Sequence, residues 1–204
     1  MGAVMGALVL SACGPVEIRL DENNGVPNIQ GQTEITLGTN FMCGMAVGSG
    51  SVMVQTRVVT GGCEFTFDDT IEVLNADSYR DIPDLQGTTN LVKRVEMTVK
   101  KLDFLDATTN TKLDLQTRIT SAEFVVNGQQ VLDKSKLASL PATVALSGTA
   151  LDSLKSKVDA RQPASVSLKA IAVLPNTPPP PEKLKLDYDA QPAVVLGPKD
   201  VKLF

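Results

Sequence analysis

From Thr33 onward, apolar and polar residues alternate with a period of two, which places every other side chain on one face of an extended strand. Val95, Met97 and Val99 alternate with Glu96, Thr98 and Lys100. Leu184, Leu186 and Tyr188 alternate with Lys183, Lys185, Asp187 and Asp189. Runs of this kind predict strands over 34–37, 51–60, 64–74, 91–104, 112–126, 129–132, 142–146, 165–174, 183–189 and 193–196. Thr and Val are abundant in them, as half-buried strands prefer. Val126-Asn127-Gly128-Gln129 predicts a two-residue hairpin, because a type I′ turn needs positive φ at both central positions. Strands at this spacing predict an all-β fold, an Ig-like antiparallel β-sandwich of about eight or nine strands with one short connecting helix. The pattern leaves the strand order open.

The helix is expected near 149–158. Thr149-Ala150-Leu151-Asp152 has the form of a capping box with Asp in place of Glu, and Leu151, Leu154 and Val158 follow at helical spacing. Pro163 bars continuation. A second short turn is expected at 134–140. Pro178-Pro179-Pro180-Pro181 cannot join a ladder and is expected to be extended. It reads as a stiff loop between two strands in preference to a ligand for a proline-binding domain. Residues 14–32 are rich in Gly, Pro, Asp and Asn and read as a tether, with an edge strand conceivable at 16–20.

Ahead of the tether the pattern is different. Met1 to Gly14 is an uncharged apolar run that exits through Leu10-Ser11-Ala12-Cys13. It is too short to span a bilayer as a helix and has the apolar core and small-residue exit of a secretory signal. Leu10-Ser11-Ala12-Cys13 resembles the lipobox of bacterial lipoproteins, although the Lys or Arg that normally precedes the apolar run is missing. The resemblance covers only this N-terminal stretch. It implies a signal peptide over 1–12, a lipidated Cys13 beginning a tether over 13–32, and a β-sandwich domain over 33–204. It also implies palmitate-type acylation at Cys13 and attachment to the membrane through that anchor. With Gly14 rather than Asp after the Cys, it points to the outer membrane.

The same resemblance gives the remaining cysteines a role. The chain has three Cys. With Cys13 lipidated, Cys43 and Cys63 are left as a possible pair in a compartment where disulfides persist. Two unpaired buried thiols are the other arrangement.

Composition removes several chemistries. The 204 residues carry a formal charge of −4, so no electrostatic footprint for nucleic acid exists. There is no His and no Trp. The commonest general base and the commonest neutral metal ligand are therefore missing. Aromatic content is 4%, which leaves few rings for stacking sugars once a core is filled. Ser153-Leu154-Lys155-Ser156-Lys157 and Ser165 to Lys169 both have the wrong separations for a Ser-x-x-Lys dyad. Gly44 to Ser51 is glycine-rich but lacks the Gly-Lys-Ser/Thr of a P-loop and does not lead into a helix.

Acidic groups at Asp21-Glu22-Asn23-Asn24-Gly25, at Asp68-Asp69 with Glu72, and at Asp187 and Asp189 read as solvated carboxylates, and no metal or other cofactor is expected. The expectation is a non-enzymatic, lipid-anchored envelope protein that contacts another envelope protein and not nucleic acid. Strand edges and the glycine-rich loop are its candidate contact surfaces. Two alternatives stay open. One is a carrier of an apolar ligand such as lipid in a β-lined cavity. The other is a glycan-binding module or an enzyme.

Overall fold

The computed structural model describes residues 18–23, 26–49, 52–75 and 92–197. Cys13, the 1–12 segment and the first part of the tether lie outside them. The elements run in the order β1 (Ile18–Leu20), β2 (Ile29–Thr36), β3 (Val47–Ser49), β4 (Val52–Val59), β5 (Gly62–Leu74), β6 (Val92–Asp106), β7 (Thr111–Lys112), β8 (Ser121–Val126) and β9 (Gln129–Asp133). A single-turn helix α1 (Lys134–Leu137), β10 (Ala142–Ala145), helix α2 (Gly148–Asp159), β11 (Ala164–Leu174) and β12 (Lys183–Leu196) follow.

Two antiparallel sheets result. In the first, β12 and β6 lie side by side at the centre. β1 and β2 both pair with the free flank of β12, one at each end, while β10 and β7 do the same on β6. The second sheet runs β3-β4-β5-β11-β8-β9. The inward faces meet in one apolar layer that includes Phe65 and Phe67 of β5, Phe124 of β8, Phe104 of β6 and Leu184 of β12. The rings of Phe67 and Phe104 cross between the sheets with centroids 6.2 Å apart. The all-β sandwich expected from the alternation is therefore present.

The edge strand read at 16–20 forms over Ile18–Leu20, where Ile18 pairs with Leu196. Residues 29–32, placed in the tether, also belong to the first sheet, with Ile29 paired to Ala190. Pro27, Asn28 and Gly31 hid the start of β2. The predicted run over 112–126 is broken after Lys112. Asp114 Oδ1 accepts from the backbone N–H groups of Gln116 (2.7 Å) and Thr117 (2.9 Å), which closes a turn and withholds those donors from a ladder. The two runs at 183–189 and 193–196 are one strand through Pro192. That proline pairs with Met97 at residues where neither β1 nor β2 covers β12.

The hairpin forms as expected, with φ of 48° at Asn127 and 81° at Gly128. Helix α2 has Ser147 as its N-cap and starts at Gly148, so the capping box at Thr149 is not used. The N–H of Ser147 donates to Gln129 Oε1 at 2.8 Å. Helix α2 buries Ala150, Leu154 and Val158, and Leu151 is only half-buried.

β6 and β12 keep one apolar face over their whole length only because the ladder is irregular. Asp189 pairs with Lys101 but Ala190 pairs with Val99, so Lys100 is an extra residue in β6. Buried positions in β6 accordingly switch from Val95, Met97 and Val99 to Leu102 and Phe104. The bulge lets Lys100 and Lys101 both avoid the core.

Tyr188 of β12 is buried and pairs with Gly31 of β2. A Cβ at residue 31 would run into Cζ, Oη and Cε1 of that ring. The ring cannot swing aside freely, because its hydroxyl donates to Asp69 Oδ2 on the other sheet at 2.6 Å. Gly31→Ala is expected to lower stability by about 1–3 kcal/mol, the usual cost of overpacking. Chemical denaturation checks this. Adding Tyr188→Leu should recover part of the loss, and purely additive effects would contradict the steric account.

Candidate functional site

The segment between β2 and β3 is tied down at several points. Its start is held where the N–H of Leu37 donates to the Glu182 carbonyl at 2.7 Å. Phe41 then stacks on Phe65, with centroids 5.6 Å apart and planes at 27°. Cys43 is bonded to Cys63 at the start of β5, with Cα atoms 5.7 Å apart. The cysteines left over in the lipoprotein reading are thus a disulfide. Beyond it, the Thr56 hydroxyl accepts from the N–H of Gly44 (2.9 Å) and donates to the carbonyl of Met45 (2.5 Å). Gly44 has φ of 102°, a conformation its neighbours could not adopt without strain. The glycine-rich stretch read as a loop is partly strand, since Val47–Ser49 pairs with Val52–Val54. Gly50 and Ser51 lie outside the described residues.

This framework holds three apolar side chains in water. Met42 is 68% exposed, Met45 54% and Val58 68%, and they are the exposed large hydrophobics among the described residues. All three are grouped around the disulfide: Met42 precedes Cys43, Met45 is anchored beside it through Thr56, and Val58 pairs with Cys63 across β4 and β5. Exposed apolar side chains scattered singly mean little, whereas their concentration at one place marks a contact surface. Methionine adapts its shape to a partner more readily than branched residues do. Sequence reasoning placed a loop here but did not single out these side chains. The signal available was Met42 and Met45 bracketing a Cys in a glycine-containing segment, with no period to bury them.

A second feature lies on the outer face of the first sheet. Gln30 and Gln32 of β2, Asp187 and Asp189 of β12, and Lys101 of β6 surround a depression of about 340 Å³. Lys101 Nζ donates to Asp187 Oδ2 at 2.7 Å, and Gln32 Nε2 donates to the same oxygen at 3.2 Å. Gln30 Nε2 donates to Asp189 Oδ2 at 3.0 Å. The bond from Lys101 to Asp187 holds the ammonium above the ordinary lysine value, so it stays charged. Asp189 Oδ1 is enclosed without a hydrogen-bond partner. An acceptor left so costs about 1–3 kcal/mol until a donor reaches it.

The other acidic groups are engaged in structure. Asp68 pairs with Lys169 at 3.1 Å, and Asp69 accepts from Tyr188. Glu22 meets Lys100 at 3.4 Å, while Asn24 and Gly25 are outside the described residues. Among the described residues, no three Cys, Asp or Glu side chains are grouped to hold a metal ion. An apolar ligand carried between the sheets would have to take the place of Phe65, Phe104, Phe124 and Leu184, which fill that space. No protein-family model, curated protein or solved structure matches the chain.

Two outcomes follow. The disulfide closes a separation of 20 residues, so Cys43→Ser with Cys63→Ser should cost about 3 kcal/mol in denaturant unfolding. Reductant should then destabilise the unsubstituted protein and leave the variant unaffected. Burial, reinforced by the bond to Asp69, raises the Tyr188 hydroxyl above its ordinary 10.0. A raised folded-state value means that the unfolded chain ionises first as pH climbs. Stability from this group is complete below pH about 10 and declines above it. Tyr188→Phe should remove that share of the alkaline loss, which stability measurements at successive pH values will read.

Proposed function

We propose that this protein is a lipid-anchored, non-enzymatic component of a bacterial envelope that binds another envelope protein through the end of the sandwich around Cys43–Cys63. The observation that carries the reading is the exposure of Met42 and Met45 on a segment that a disulfide, a ring stack and the Thr56 hydroxyl hold in place, with exposed Val58 of β4 opposite Cys63. Ordering a loop in advance removes part of the entropy that binding would otherwise cost. The apolar side chains select a partner whose contacting surface is itself apolar.

The anchor rests on Leu10-Ser11-Ala12-Cys13 and its resemblance to the lipobox. Acylation at Cys13 would confine the domain to a membrane surface, which raises its effective concentration toward neighbours there. A disulfide suits an oxidising compartment outside the cytoplasm. The absence of His from the chain removes the usual acid–base machinery and supports a binding role over catalysis.

A single experiment on native envelopes addresses both halves. Intact mass should show a chain beginning at Cys13 and carrying acyl chains. A photo-crosslinking residue at 42 or 45 should give one discrete adduct, and the same residue at 155 on α2 should give none. Met42→Asp with Met45→Asp should lower recovery of that partner more than about tenfold, the effect of losing a central apolar contact. Residues 1–12 still attached to an unmodified Cys13 would remove the anchor. Equal recovery in the double variant would remove the contact surface.

A further inference from the structure

We infer that the depression formed by Gln30, Gln32, Lys101, Asp187 and Asp189 on the outer face of the first sheet binds a neutral, hydroxyl-rich saccharide unit. This site is separate from the apolar end of the sandwich, and neither depends on the other.

Hydrogen-bonding capacity remains in the depression after its internal bonds are made. Asp187 Oδ2 takes donors from both Lys101 and Gln32. Asp189 Oδ2 takes one from Gln30, and Asp189 Oδ1 takes none. Each carboxamide keeps a carbonyl oxygen and a second N–H, and the ammonium keeps two further protons. The site therefore offers acceptors and donors interleaved at short range. The groups that complement such an array are hydroxyls, which donate and accept at once.

Charge excludes the other classes. A phosphate or carboxylate ligand would face Asp187 and Asp189. A metal ion would find only two carboxylates, with Lys101 between them, and no group of three ligands exists among the described residues. An organic cation would meet the Lys101 ammonium, which Asp187 keeps charged. A neutral polyol meets no like charge.

Geometry suits a small ring. Alternate residues on a strand are about 6.6 Å apart, so Gln30 and Gln32, and Asp187 and Asp189 beside them, make two parallel rows. Gly31 and Tyr188 lie between those rows. The 340 Å³ volume sits near the lower end of the roughly 300–1,000 Å³ usual for small-molecule sites. The side chains stand on three adjacent hydrogen-bonded strands and their mutual bonds orient them, so little freedom is lost on binding. No exposed aromatic ring stacks on the ligand, so affinity is weak and exchange fast.

Saturation-transfer NMR on the full chain provides the test, with maltose and N,N′-diacetylchitobiose as neutral probes and glucose 6-phosphate and spermidine as charged ones. Transfer to at least one neutral disaccharide is expected, with none to the charged probes. Gln30→Ala and Asp189→Ala should each weaken that binding about tenfold. Their unfolding midpoints should shift little, because each removes the same single side-chain bond between Gln30 and Asp189 at the surface. Gln32→Ala gives the same readout if either variant fails to fold. Transfer to neither neutral probe would overturn the inference. So would preference for a charged probe, or binding that survives all three substitutions.

Discussion

Among the described residues, β1 and β2 pair as strands only with β12, and β10 and β7 only with β6, so every flanking strand of the first sheet joins its ladder through β6 and β12. That ladder runs from Leu184 opposite Asp106 to Leu196 opposite Val92, and both strands must keep one dry face throughout. Their sequences do not alternate perfectly. A pair of adjacent lysines, Lys100 and Lys101, would drive one ammonium into the core if the period were strict. The bulge at Lys100 resolves the conflict by spending one residue to reset the phase. The buried side of the sheet, and hence its contact with the phenylalanines of the second sheet, depends on that reset.

The same arrangement separates two kinds of surface. Outward positions of β2, β6 and β12 carry amides, carboxylates and lysines that bond to one another across the strands. The end of the sandwich near β3 and β4 carries exposed methionines on a segment locked by Cys43–Cys63. One surface is polar and holds a depression, and the other is apolar and shaped by a covalent link. They invite different partners and lie on different sheets. The cross-sheet bond from Tyr188 to Asp69 ties the two sheets together near the polar one.

Much of the fold was legible because period two is a direct signal of one-sided burial. Val95, Met97 and Val99, and Leu184 and Leu186, were read correctly from alternation alone. Asn127-Gly128 announced its turn through the one backbone requirement those residues meet without strain. Two illegible features depend on a partner distant in sequence, and one on a local competitor. The start of β2 contains Gly31 and is a strand because Tyr188–Ala190 is beside it. Pro192 looks like a strand break until the uncovered stretch of β12 is seen. Leu113 and Ile119 alternate plausibly with polar neighbours, yet Asp114 captures the local N–H groups first. At the candidate sites, cysteine arithmetic reached the disulfide through the lipoprotein resemblance. Exposure of Met42, Met45 and Val58 has no periodic signature, and the pairing of Lys101 with Asp187 requires the register of two strands 86 residues apart.

The position of β12 in the chain also sets an order of assembly. Cys43 and Cys63 are both present once the first third of the polypeptide has been made, so their bond can close early. Ile18 and Ile29, by contrast, have no strand partner until residues 183–196 arrive. A chain emerging N-terminus first can pair β6 with β7 and β10, but must keep β1 and β2 from pairing elsewhere until its last strand appears. The first sheet is then completed late, when β12 joins β6 and gives β1 and β2 their partner.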